Sequence, residues 1–193
     1  MESLKLFLEM DVSLDAIVPH KDAVLALAAD RLADRAGMRY EHARDALVGR
    51  EKLGSTALGH GVAMPHAMSR HCTRPAATLI GLAAPLDFDA PDDEDVDVVF
   101  ALIWPQYRAP EFLKVSSAVS RALVDPAMLQ MVHRSAAPDL VRRSFYFNAK
   151  AGRVREGNAA GDGGVILPTD RSSYPEEFQA IAPCPVRRAA NGR

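Results

Sequence analysis

Two apolar runs restrict the fold more than any other feature of this chain. Ala77 to Ala83 and Val96 to Trp104 are rich in β-forming residues, are bounded by proline and aspartate, and read as buried strands. Segments of helical period surround them. Lys21 to Ala36 carries Val24, Leu27, Ala28, Leu32 and Ala36 on one stripe, with Gly37 placed to end it. Tyr40 to Lys52 turns Ala43, Ala46 and Leu47 inward and breaks at Gly54, and Glu111 to Val124 repeats the pattern up to Asp125-Pro126. Met128 to Val132 has the makings of a fourth helix. Helices interleaved with buried strands predict an α/β domain.

The chemistry concentrates between Gly49 and His66. Gly54, Gly59 and Gly61 supply backbone freedom, Ser55 and Thr56 hydroxyls, and Arg50 a guanidinium at the end of its helix. Gly61 to Met64 reads as a short strand, and Pro65 fixes the backbone beside His66. A G-x4-G-x-G spacing alone describes a glycine-rich turn. Arg50-Glu51 before it and Pro65-His66 after it point instead to a phosphoryl-binding loop that ends on a nucleophile.

Arg50, Glu51, Gly54, Ser55, Thr56, Gly59, Gly61, Ala63, Pro65 and His66 together resemble the phosphorylation-site motif of the mannitol/fructose-type enzyme IIA domains of the bacterial phosphotransferase system, most of all its nitrogen-related regulatory branch. Weaker similarity extends from about Leu14 to about Val132. The resemblance implies a single α/β domain with a mixed sheet flanked by helices, entered through a short segment near Val12 to Ile17. It also implies that His66 accepts a phosphoryl group from a phosphohistidine carrier protein.

A neutral imidazole attacks phosphorus with one ring nitrogen when a hydrogen bond fixes the other. On this reading Arg50 stabilises the phosphoryl oxygens. Ser55, Thr56, Gly59, His60 and Gly61 are the expected neutral or auxiliary donors. Transfer between two phosphohistidines is nearly isoenergetic and needs neither cofactor nor metal. His60, His66, His71 and Cys72 are ligand types, but their spacing matches no zinc pattern. The resemblance carries one departure. Family members place a second histidine, in a His-Leu pair, where this chain has Phe112-Leu113, and no histidine occurs between His71 and His133.

The formal net charge of -2 gives no reason to expect nucleic-acid binding as a main activity. Residues 142 to 193 hold nine Lys/Arg against five Asp/Glu, and their glycines and prolines leave no amphipathic period. The expected organisation is therefore a transfer domain over 1–141 and an irregular or disordered basic tail over 142–193, with no closing helix. No stretch reads as a membrane span or a convincing signal peptide, so a cytoplasmic protein is expected. Three functions follow. The first is a phosphotransfer domain that regulates target proteins by its phosphorylation state, the second a non-catalytic interaction module of the same fold, and the third a sugar-specific enzyme IIA.

Overall fold

The computed structural model describes residues 6–134 and 137–155; the side chains of 127 and 148–155 are outside that description. All described residues fall in one compact unit. In chain order the elements are α1 (Leu6–Glu9), β1 (Asp11–Ala16), α2 (Lys21–Ala36), α3 (Tyr40–Glu51), β2 (Ala57–Gly59), β3 (Val62–Ala63) and β4 (His66–Ser69). They continue with β5 (Ala76–Leu86), β6 (Val96–Pro105), α4 (Ala109–Leu123), α5 (Pro126–Arg134) and α6 (Pro138–Arg155).

Among the described residues these strands form one mixed sheet in the order β1-β5-β6-β3-β2. β1 runs parallel to β5, and β5 pairs antiparallel with β6. β3 and β4 share the outer edge of β6 in succession, both parallel to it, at Val62↔Val98 and His66↔Leu102. The Pro65 carbonyl accepts the Leu102 N–H between them, so the chain keeps its hold on β6 through the proline.

The continuous apolar run of β6 has a simple cause. Its side chains alternate across the sheet, and both faces are covered. Val98, Phe100, Leu102 and Trp104 enter a core with Phe112, Val115 and Val119 of α4, Val141 and Phe145 of α6 and Phe7 of α1. Val99, Ala101 and Ile103 face the opposite core, against Val24, Ala28 and Leu32 of α2 and Ala43 and Leu47 of α3. Three layers result: helices, sheet, helices.

Helix α2 starts and stops where the sequence indicates. His20 Nδ1 accepts the Ala23 N–H at its N-terminus. At its C-terminus Gly37 adopts φ +65°, and the Met38 N–H returns to the Ala33 carbonyl.

The expected boundary at 141 falls inside α6, so a closing helix is present. Its apolar surface is small but decisive. Phe145 is fully buried, stacked on Phe100 at 4.8 Å and edge-on to Phe7 at 5.2 Å. Arg142 ties the same helix to the Met10 carbonyl at 2.8 Å. Two buried apolar residues, Val141 and Phe145, in a polar helix leave little amphipathic signature, which is why composition does not reveal the segment. The part of the expected tail beyond 155 lies outside the described residues.

Candidate active site

Helix α3 ends at Glu51, so Arg50 projects from its last turn toward β4, which opens on His66. Arg50 Nε donates to His66 Nε2 at 3.3 Å, and Arg50 Nη1 donates to the Gly54 carbonyl at 3.0 Å. On the other side of the ring, His66 Nδ1 lies 2.8 Å from the Met64 carbonyl. A carbonyl can only accept, so Nδ1 carries the proton and Nε2 the lone pair. Burial lowers the pKa of His66 first, and the Arg50 charge lowers it further; the Met64 carbonyl and Glu51 oppose them. The result is a neutral imidazole with a defined tautomer.

Phe112, from the first turns of α4, packs beside this histidine with ring centroids 5.6 Å apart. It is buried and leans on Trp104 at 6.1 Å. The position given to a second histidine by the resemblance is thus next to His66 and occupied by an apolar ring. About two turns further on, Ser120 Oγ contacts Met64 Sδ at 3.6 Å, so the same face of α4 follows the strand edge.

The other expected donors are committed elsewhere. Ser55 Oγ donates to the Phe88 carbonyl at 2.5 Å and accepts the Ala57 N–H. Thr56 Oγ1 donates to Glu51 Oε2 at 2.5 Å, and the Thr56 N–H reaches Glu51 Oε1 at 3.2 Å. Both hydroxyls brace the loop and do not reach toward His66.

Gly59, His60 and Gly61 form the turn of the β2–β3 hairpin, with φ of 84°, 57° and 75°. The register on β6 puts this turn beside Val98 and His66 beside Leu102, four residues or about 13 Å apart along the strand. Two of their main-chain groups are in use there. The His60 N–H donates to Asp92 Oδ2 at 2.8 Å, and the Gly61 carbonyl accepts from Asp97 and Val98. The glycines serve the turn and not the phosphoryl pocket, which corrects the expectation for all three.

His60, His66, His71 and Cys72 do not gather into a metal cluster among the described residues. His71 stacks on His42 at 3.9 Å, and the buried Cys72 thiol, pushed up to about 11 by burial, donates to the Arg74 carbonyl. His60 does bring its ring within 4.8 Å of carboxylate oxygens of Asp92 and Glu94, all three exposed. Asp92 already accepts the N–H groups of His60 and Glu94.

Sequence reasoning assigned no role to Glu51 or to the Met64 carbonyl. Glu51 is a buried carboxylate that accepts both Thr56 donors and pairs with Lys21 Nζ at 2.7 Å. A signal was available, since an acidic residue in the last turn of a helix opposes the helix dipole and requires a partner. A main-chain carbonyl leaves no trace in sequence.

The mixed sheet between helical layers thus carries, on its edge, an arginine-backed histidine of fixed tautomer. The match to "Phosphoenolpyruvate-dependent sugar phosphotransferase system, EIIA 2" runs over residues 5–146, and the chain belongs to that family. Among curated proteins it is 41% identical to the nitrogen regulatory protein of Pseudomonas aeruginosa over 90 residues, which is 47% of this chain and 58% of that one. It is 32% identical over 130 residues to the nitrogen regulatory protein of Bradyrhizobium diazoefficiens, covering 64% of this chain and 84% of that one.

The crystal structure of nitrogen regulatory protein IIA-Ntr from Neisseria meningitidis superposes with a TM-score of 0.70 at 26% identity, over 75% of this chain and 99% of that one. The IIA mannitol domain of Escherichia coli shares the fold at a TM-score of 0.59 and 19% identity, over 70% of this chain and 95% of that one. The expected α/β fold and the branch of the family are therefore both borne out. Among the described residues no helix is long and apolar enough to cross a membrane.

Proposed function

We propose that this domain accepts a phosphoryl group on Nε2 of His66 from a phosphohistidine carrier protein and regulates target proteins by its phosphorylation state. The observation that carries the reading is the hydrogen bond from Nδ1 to the Met64 carbonyl. It leaves Nε2, whose lone pair accepts from Arg50 Nε, as the nucleophilic nitrogen of the ring, and Arg50 marks the side from which phosphorus arrives.

The exchange balances without outside reagents. A P–N bond forms at Nε2 as the P–N bond of the donor breaks, and the donor imidazole leaves with the electron pair. The ring gains positive character on phosphorylation, and the Met64 carbonyl stabilises it through the proton that Nδ1 keeps. Arg50 gives up its contact with the lone pair and turns its N–H groups to the phosphoryl oxygens, where a charged donor is most effective. A phosphohistidine adds about two negative charges, enough to change what an interface around His66 will bind.

A regulatory role is supported by the nitrogen regulatory relatives. A cytoplasmic location and a small carrier as donor follow from the same reading. Phe112 favours a second reading, a non-catalytic interaction module, because it puts an apolar ring beside His66 where the family resemblance implies a second histidine. Incubation with a phosphorylated carrier followed by intact-mass measurement separates the two. A single acid-labile phosphoryl adduct supports transfer, and an unchanged mass supports the interaction module.

A further inference from the structure

The geometry points to Glu51 as the positioning residue that holds Arg50 against His66, through a clamp on the loop between α3 and β2. The inference rests on the phosphoryl-transfer reading of His66 and adds a role for a buried charge which that reading leaves unused.

Arg50 and Glu51 are sequence neighbours on one helix, so they leave it in different directions. Arg50 reaches outward to His66 and to the Gly54 carbonyl. Glu51 turns inward, its side chain 6% exposed, and grips the same loop two residues further on, at the N–H and hydroxyl of Thr56. Gly54, held between these grips, adopts φ +144°, where a larger residue would be strained. The carbonyl that anchors Arg50 is therefore placed by Glu51.

The clamp has a base. Lys21, at the start of α2, reaches Glu51 Oε1 at 2.7 Å, the Phe88 carbonyl at 3.0 Å and Asp89 Oδ2 at 3.0 Å. Burial works against the charge on Lys21, yet hydrogen bonds and charge from Glu51 and Asp89 raise its pKa overall. Ser55 fastens the loop to the same Phe88 carbonyl. Three segments thus meet at one carboxylate, with the Phe88–Asp89 segment tied in through Lys21 and Ser55, and among the described residues the Gly54 carbonyl is the further anchor that keeps the Arg50 guanidinium at the ring. Removing the charge of Glu51 leaves two Thr56 donors and an ammonium competing for one amide oxygen.

A double-mutant cycle on the full chain tests this. Glu51→Gln is expected to slow phosphoryl acceptance on the order of tenfold to a hundredfold. Glu51→Gln combined with Arg50→Ala should be no slower than Arg50→Ala alone, because Glu51 acts through Arg50. Glu51→Asp, which keeps the charge, should recover part of the rate. Additive losses in the double variant would overturn the proposal.

An arm without phosphate keeps the inference separate from the functional reading. In unphosphorylated Glu51→Gln, the 15N resonance of His66 Nε2 should lose the signature of its Arg50 hydrogen bond, and the ring pKa should rise, since Arg50 lowers it. A fall would show that only the carboxylate charge was lost and that Arg50 stayed in place, against the proposal. Should Glu51→Gln fail to fold, Thr56→Val loosens the same clamp from its other jaw and should give the same resonance change in milder form. An unchanged Nε2 resonance there would equally overturn it.

Discussion

Arg50 Nε and His66 Nε2 stand 3.3 Å apart, with the histidine's other nitrogen fixed by a main-chain carbonyl. The guanidinium thus rests on the lone pair that is to attack phosphorus. Replacing Arg50 with Ala should slow phosphoryl acceptance by about a hundredfold or more while the fold persists, because it removes a charged donor from the transition state. Lysine should recover only part of the rate, since a point charge does not reproduce the planar fork. Rapid-quench transfer assays on the three proteins decide the matter, and a wild-type rate in Arg50→Ala would take Arg50 out of the site.

Phe112 presents an apolar ring where a second histidine would offer a hydrogen-bonding nitrogen. Phe112→His should raise the rate of acceptance or lengthen the lifetime of the adduct. Decay of the phosphorylated protein at neutral pH measures the second quantity. A folded variant with neither gain would show that this site stabilises its phosphoryl group from the Arg50 side alone.

The pH dependence follows from the lowered pKa of His66. Burial is its first cause and Arg50 adds to it, so the attacking nitrogen is free throughout the neutral range. Acceptance should be level above the ordinary histidine value of 6.5 and should fall as pH drops through the lower folded-state value. Stability moves the same way. Between the two values the unfolded chain binds a proton that the folded ring refuses, so this contribution is present above 6.5 and lost on acidification. Denaturation of wild type and His66→Gln across that range should show a smaller loss on acidification in the variant.

The β2–β3 turn should be a structural device with no part in transfer. His60→Ala is expected to leave the transfer rate unchanged. Gly59→Ala places a Cβ 2.8 Å from Asp92 Oδ2 at φ +84°, and should cost about 1–2 kcal/mol of stability without slowing transfer in the folded protein. Denaturant titration alongside the transfer assay checks both, and slow transfer in folded His60→Ala would return the turn to the site.

The parts of this protein that were legible in sequence are those that periodicity and backbone chemistry write down. Lys21–Ala36, with its glycine stop, was readable because burial on one face forces apolar residues into a period of 3.6, and the two central strands because burial on both faces makes them continuous apolar runs. The pairing of Arg50 with His66 was readable as a motif. The partition of donors was not, because Ser55, Thr56 and Gly59 to Gly61 share one loop in sequence and part company only when β3 and β4 take successive positions along β6. Strand β4 itself, four residues after a proline, had no periodicity to show. Phe145 falls in the expected irregular basic tail because it and Val141 anchor α6 through contacts with distant segments, Phe100 and Phe7 among them, that no local pattern encodes.

Phosphoryl transfer in this domain turns on one atom, Nε2 of His66. After phosphorylation by a phosphohistidine carrier, 31P–15N correlation spectra on histidine-labelled protein report directly which ring nitrogen bears phosphorus. The expected result is coupling to Nε2 of His66, an acid-labile and base-stable adduct, and complete loss of the signal in His66→Ala. Phosphorus on Nδ1, or an adduct that survives in His66→Ala, would contradict it.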